Sequence, residues 1–259
     1  MQFYNNLSPT IFSLGPLDIR WYGLIYVTGF VIAYIYLLFL EKKKQTELNR
    51  EQIDEFIFYL LIGTIIGARL FYVIFYNFGH YLENPLSILA LWQGGLSFHG
   101  GLAGAFVSGM IFCRKNKLSY LKLADILALP LAFGLFLGRI GNFINGELVG
   151  RITNVPWCFY FKDYEGCRHP SQLYESAKNL FIFFVLLGIK QFKKRKLPDG
   201  YLFLIFMAMY SVLRFFIEYV REPDTQLGFV IFSLTMGQLL NIVMFAVGAY
   251  FLFKVARQQ

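Results

Sequence analysis

Apolar runs close to the length of a membrane crossing recur along the whole chain, separated by short polar stretches. The segment LDIRWYGLIYVTGFVIAYIYLLFL, residues 17 to 40, is apolar on every face. A helix at a water surface carries a polar stripe and a barrel strand alternates with period two, and neither pattern is present. A run of about 20 apolar residues crosses the hydrocarbon core. The pattern predicts seven such helices, at residues 17–40, 55–76, 88–112, 121–141, 173–190, 201–219 and 234–253. The expected fold is all-α: a polytopic membrane protein of about seven transmembrane helices, forming one integral-membrane domain over residues 1–259. Composition agrees, since 57% hydrophobic and 15% charged residues lie outside the range of soluble domains. The opening MQFYNNLSPTIFSLGPLDIR has no basic start and no small-residue cleavage site, so the first span is expected to stay as an anchor.

A net charge of +8 invites a nucleic-acid reading, but in a membrane protein Lys and Arg report topology. No nucleic-acid partner is expected. Lys42, Lys43, Lys44, Arg50, Arg114, Lys115, Lys117, Lys122, Lys190, Lys193, Lys194, Arg195, Lys196, Lys254 and Arg257 fall on one side, fifteen in all. Four fall on the other: Arg151, Lys162, Arg168 and Arg221. The bias predicts an N-terminus outside and a C-terminus in the cytoplasm. The longest loop, 142–172, then faces outward. It contains Cys158 and Cys167, which share an oxidising compartment and are free to pair, although nothing in their spacing requires it.

Polar side chains inside the spans carry the chemistry. An Arg at a helix centre costs about 2.5–3.5 kcal/mol on insertion scales, so it faces a protected interior unless it snorkels. Arg69, Arg139 and Arg214 are expected to point to a shared polar cavity near the outer leaflet. Tyr210, Arg214 and Glu218, at i, i+4 and i+8, lay a hydroxyl, a cation and a carboxylate along one helix face, continued by Arg221 and Glu222. An Arg214–Glu218 pair would both make the cation tolerable and aim a group matched to phosphate. WQGGLSFHGGLAG sets His99 between glycine pairs. That histidine is either packed structurally or acts as a proton acceptor near neutral pH. GTIIG (Gly63, Gly67) and GLFLG (Gly134, Gly138) read as close helix packing. Metal-ligand spacing, a P-loop and a nucleophile elbow are absent, so no metal site and no cofactor are expected. Two arginines with a histidine under the outer leaflet suit the phosphate of an anionic lipid. An anion transporter is the competing class, disfavoured by the lack of an internal repeat and by charges gathered to one side. A structural scaffold would not need these groups buried on separate spans.

The polar stretch GRIGNFINGELVG, residues 138–150, closely resembles the signature of the prolipoprotein diacylglyceryl transferase family. IRWYG (19–23), GAR (67–69), GGLSFHGGL (94–102), RHPSQLYE (168–175) and RFFIEYVREPDTQLG (214–228) extend the likeness in order along most of the chain. Asn241 in TMGQLLN departs from it, standing where the family often has a small residue. The resemblance implies transfer of a diacylglyceryl group from phosphatidylglycerol to the lipobox cysteine of a preprolipoprotein, in the bacterial inner membrane, with the site toward the outer leaflet. The partners implied are phosphatidylglycerol, lipobox signal peptides and membrane lipids. His99 is the candidate thiol base, with Arg139 and Arg214 stabilising the leaving phosphate. Asn142, Glu147 and Gly150 would shape the signature loop, with Glu147 orienting an arginine. Tyr22 and Tyr210 would position the head group or relay a proton, and Glu218 would support Arg214.

Overall fold

The computed structural model describes residues 2–14, 17–91, 94–192, 197–223, 229–231 and 234–257. Trp92 and Gln93 of the histidine motif, the basic residues Lys193 to Lys196, and DTQLG at 224–228 lie outside the described residues. The chain is mostly helical, with α1 (Trp21–Lys42), α2 (Arg50–Tyr76), α3 (Phe78–Glu83), α4 (Phe98–Lys115), α5 (Tyr120–Asn145), α6 (Ser171–Phe192), α7 (Tyr201–Ile217) and α8 (Met236–Ala256). Five of these, α1, α2, α5, α6 and α8, are long and apolar enough to cross a membrane. Only 11% of the apolar window of α1 is buried inside the protein, so lipid must cover the rest. The chain is a multi-pass membrane protein.

Helices occupy all seven segments that the apolar pattern predicts, but three begin late, α8 by only the two residues that form the strand Leu234–Thr235. α1 starts at Trp21 because residues 17–20 form a strand, and α4 starts at Phe98 where residue 88 was expected. Residues 85–89 form a separate 3-10 turn, and Gly94 and Gly95 then take φ of 84° and 76°, conformations that end a helix. Ser97, in extended backbone, caps the new start by accepting the Gly100 N–H at 3.4 Å.

Among the described residues there are also seven short strands, which the all-α expectation lacked. β1 (Phe3–Asn5) pairs in parallel with β4 (Phe159–Phe161), which pairs antiparallel with β5 (Cys167–Arg168). β2 (Thr10–Leu14) and β3 (Leu17–Arg20) form one hairpin, and β6 (Phe229–Ile231) pairs with β7 (Leu234–Thr235). Cys158 and Cys167 are bonded, with Cα atoms 5.5 Å apart, next to the β4–β5 ladder.

The chain divides into two compact units, Met1–Ala33 with Ala124–Gln259, and Tyr34–Leu123. In the second unit α2 packs on α4 through glycine. A Cβ on Gly67 would lie 2.7 Å from Gly104 Cα and also meet Gly100 O, while one on Gly104 would meet the Gly63 carbonyl. Lipid tails give apolar helices no hydrophobic reason to associate, so close backbone approach supplies the attraction. The GTIIG motif thus works as expected, and its partners are Gly100 and Gly104. GLFLG does not: a Cβ on Gly134 or Gly138 meets nothing within 4 Å among the described residues, so no helix packs against these two positions. In the first unit, Asp125 of α5 caps α7, accepting the Gly200 N–H at 2.7 Å and the Phe203 N–H at 2.9 Å.

These contrasts give a direct test. Gly104→Ala should destabilise the protein by about 1–3 kcal/mol through overpacking, read as a lower thermal midpoint in detergent. Gly134→Ala should leave that midpoint unchanged or raise it.

Candidate active site

The polar residues of the first unit converge on α6. Its residues Ser171, Gln172, Glu175, Ser176, Lys178 and Asn179 are all buried, so a polar face turns inward on a helix that is otherwise apolar. Glu175 is the junction. Its Oε1 lies 3.1 Å from Arg214 NH1, and its Oε2 lies 2.8 Å from Lys178 Nζ and 3.7 Å from Arg139 Nε. Arg214 in turn holds Glu218 Oε2 at 2.5 Å, and Thr235 Oγ1 donates to Glu218 Oε1 at 3.0 Å. Gly237 makes room for that carboxylate, since a Cβ there would stand 2.7 Å from Glu218 Oε1. Lys178 Nζ also sits 3.6 Å from the centroid of the Tyr210 ring. An isolated charge in an apolar interior is strongly unfavourable, and this network gives every buried charge an opposite partner.

Arg139 and Arg214, two of the three expected catalytic residues, are therefore brought together through a shared carboxylate. Arg214 is buried, whereas the Arg139 side chain keeps 19% of its surface exposed, so its guanidinium has the freer face. The sequence reading missed Glu175 and Lys178 as members of this cluster. Their signal was available: polar residues at 171, 172, 175, 176, 178 and 179 repeat with the helical period.

The signature loop is folded by its own side chains. Glu147 Oε1 accepts from Asn142 Nδ2 at 2.8 Å and from Asn145 Nδ2 at 3.2 Å. Glu147 does not pair with Arg139, whose acidic partner is Glu175. The loop turns through Gly146 and Leu148, both with positive φ, of 68° and 56°. Positive φ at a bulky Leu is a strained conformation. It is held by α6, where Ser171 Oγ donates to Leu148 O at 2.8 Å and Gln172 Nε2 to Glu147 O at 2.7 Å. Gly150 lies at a backbone crossing: it donates to His169 O at 3.0 Å, and a Cβ there would come 2.7 Å from Val220 O. Tyr22 packs beside Gly141 of the signature, and its hydroxyl is 3.0 Å from that of Tyr26. Asn241, buried, donates back to Gly237 O at 2.6 Å, so its amide is satisfied within α8.

His99 belongs to the second unit, where it is exposed on the first turn of α4. Arg69 fixes the loop that leads to it. The expectation that Arg69 points to a polar cavity shared with Arg139 and Arg214 is corrected by its bonds: all five lead to carbonyls of its own unit. Nε donates to Ile88 O (2.8 Å), NH1 to Gly94 O (2.6 Å) and Gly95 O (3.0 Å), and NH2 to Ser87 O (2.6 Å) and Ala90 O (3.2 Å). Guanidinium has five N–H donors, and here each serves a carbonyl; Ser87 O also accepts the Ala90 N–H that closes the 3-10 turn. Among the described residues, no group of three or more His, Cys, Asp or Glu side chains is placed to hold a metal ion.

Long apolar helices, together with an ionic cluster that joins α5, α6 and α7 beside a strained, polar loop, define a polytopic membrane protein. The family model for prolipoprotein diacylglyceryl transferase matches residues 9–254. The phosphatidylglycerol–prolipoprotein diacylglyceryl transferase of Geobacter sulfurreducens is 43% identical over 261 residues, covering 100% of this chain and 99% of its own. Those of Rickettsia bellii and Rickettsia canadensis are 42% and 44% identical, covering 97% and 95% of this chain and 96% of each relative. The chain belongs to the prolipoprotein diacylglyceryl transferase family, and it is a transferase of lipoprotein biosynthesis.

Two substitutions test the architecture. Glu175→Gln leaves two buried cations, Lys178 and Arg214, and the half-buried Arg139 with one carboxylate and should cost about 3–5 kcal/mol, read as loss of folded protein in detergent. Arg69→Lys keeps the charge but supplies three donors where five are used, and should lower the thermal midpoint by the equivalent of about 2 kcal/mol.

Proposed function

We propose that this protein transfers the sn-1,2-diacylglyceryl group of phosphatidylglycerol to the thiol of the lipobox cysteine in a preprolipoprotein. The products are a thioether-linked prolipoprotein and glycerol 1-phosphate. The observation that carries this reading is the convergence of Arg139 and Arg214 on Glu175, with Arg139 partly open. In the proposed topology seven helices cross the bacterial inner membrane, with the N-terminus outside and the C-terminus in the cytoplasm. The signature loop then lies toward the outer leaflet, as the fifteen-to-four bias of basic residues supports.

A thiol of pKa about 8.5 is a weak nucleophile until its proton is removed. His99 takes that proton. The thiolate attacks the glycerol carbon bearing the phosphate, the C–S bond forms, and the C–O bond to phosphate breaks. Negative charge gathers on the departing phosphate, where guanidinium groups in a low-dielectric site stabilise it most effectively. Arg139 and Arg214 have this role, and Glu218 aims Arg214. Asn142 and Glu147 shape the loop beside the head group, Gly150 keeps its backbone crossing tight, and Tyr22 and Tyr210 position the donor. The lipid brings its own leaving group, so the chemistry needs no cofactor. Membrane lipid and signal peptide both enter from the bilayer.

Purified protein in detergent, supplied with phosphatidylglycerol and a lipobox peptide, should release glycerol phosphate. Arg139→Ala and Arg214→Ala should each lower turnover by about 100-fold or more, as expected for loss of a transition-state charge partner. His99→Gln should do likewise by removing the base. Near-normal turnover in His99→Gln would remove that residue as the base while leaving the phosphate site intact. Anion flux in liposomes without glycerol phosphate release would replace the transferase reaction with transport.

A further inference from the structure

Five side chains of the first unit are joined through two carboxylates: Arg139, Lys178 and Arg214 on Glu175, and Arg214 again on Glu218. Three cations against two anions leave one positive charge uncompensated inside an apolar bundle. Glu147 is not an ion-pair member of the cluster, since its bonds go to the amides of Asn142 and Asn145. Of the three cations, Lys178 is the least accessible, with 2% of its side chain exposed. Its Nζ is enclosed between Glu175 Oε2 at 2.8 Å and the Tyr210 ring at 3.6 Å, and a carboxylate and an aromatic face both favour the ammonium form. So enclosed, it meets no ligand directly and acts only through Glu175. Arg139 competes for the same Oε2 from 3.7 Å, the longest ion pair of the cluster.

We infer that Lys178 is a positioning residue that sets the charge of the site. By occupying Glu175 Oε2 it leaves the Arg139 guanidinium free for an anionic phosphodiester, which is the counter-ion the cluster lacks. Without Lys178 the cluster would hold two cations and two anions, and Arg139 would close onto Glu175. The site would then be neutral and self-satisfied before any lipid arrived. This inference rests on the reading of Arg139 and Arg214 as the phosphate site.

The test uses the full-length protein in detergent, measuring retention of phosphatidylglycerol against zwitterionic phosphatidylcholine by native mass spectrometry, together with steady-state transfer to a lipobox peptide. Lys178→Met should weaken phosphatidylglycerol binding and raise its KM by about tenfold, the scale of one close charge interaction, with kcat within about twofold. Lys178→Arg should restore both. Lys178→Gln, which keeps a hydrogen bond to Glu175, should behave as Lys178→Met. Unchanged binding and KM in the Met and Gln variants would overturn the inference. So would a joint fall of kcat and thermal midpoint that Lys178→Arg does not rescue, or failure of both neutral variants to fold, since each assigns Lys178 to stability alone. A wild-type protein with no preference for phosphatidylglycerol and no transfer would instead defeat the reading of the phosphate site itself.

Discussion

A carboxylate enclosed among apolar helices has to be matched by positive charge, and Glu175 is matched by three groups from three helices. Arg139 comes from α5, Lys178 from α6 itself and Arg214 from α7. The pairing therefore decides where these helices stand, because a carboxylate buried as deeply as Glu175 is costly to leave without its partners. The same carboxylate also decides which cation has a free face. Structure and chemistry are in this way drawn from one group, and a change that relaxed the packing would alter the charge offered to a ligand as well.

The second unit solves its polar problem differently. A 3-10 turn and an irregular stretch precede α4, and Arg69 gathers five of their carbonyls. The α2–α4 contact below it is made almost backbone to backbone through four glycines. A histidine on an exposed helix start thereby gains a defined position without being packed in a core. Its ring stays accessible because the arginine and the Ser97 cap do the holding.

The helices were legible because an apolar run has few alternatives in lipid, and all seven expected segments are helical. The boundaries and strands were less so. The strand at 17–20 and the break before Phe98 fall within apolar stretches, where hydropathy does not distinguish helix from turn, and only Gly94 and Gly95 mark the break. GxxxG shows the same limit, since Gly63 and Gly67 meet facing glycines while Gly134 and Gly138 face open space. A spacing states that close approach is possible, and a partner decides whether it occurs. In the site, Arg139 and Arg214 stood out as cations in apolar surroundings, and the Arg214–Glu218 pair followed from i, i+4 geometry. Glu175 and Lys178 were hidden by position near a polar loop, although the period of the α6 stripe encoded them. The partner of Glu147 could not be read, because Asn142, Asn145 and Arg139 are all near it in sequence and only the turn at Gly146 and Leu148 chooses among them.

Asp125 binds the first turn of α7 from α5, and Arg139 and Arg214 lie further along those same two helices. Fourteen residues of α5 separate Asp125 from Arg139, a rise of roughly 20 Å. The two helices are therefore tied at two depths of the bilayer, once by a carboxylate on backbone amides and once through Glu175. Ties at two levels restrain sliding and splaying of the two helix backbones, while the Arg139 side chain, on the longest ion pair of the cluster, keeps room to move. Adjustment at the cluster is therefore expected in side chains rather than in the relative placement of the α5 and α7 backbones.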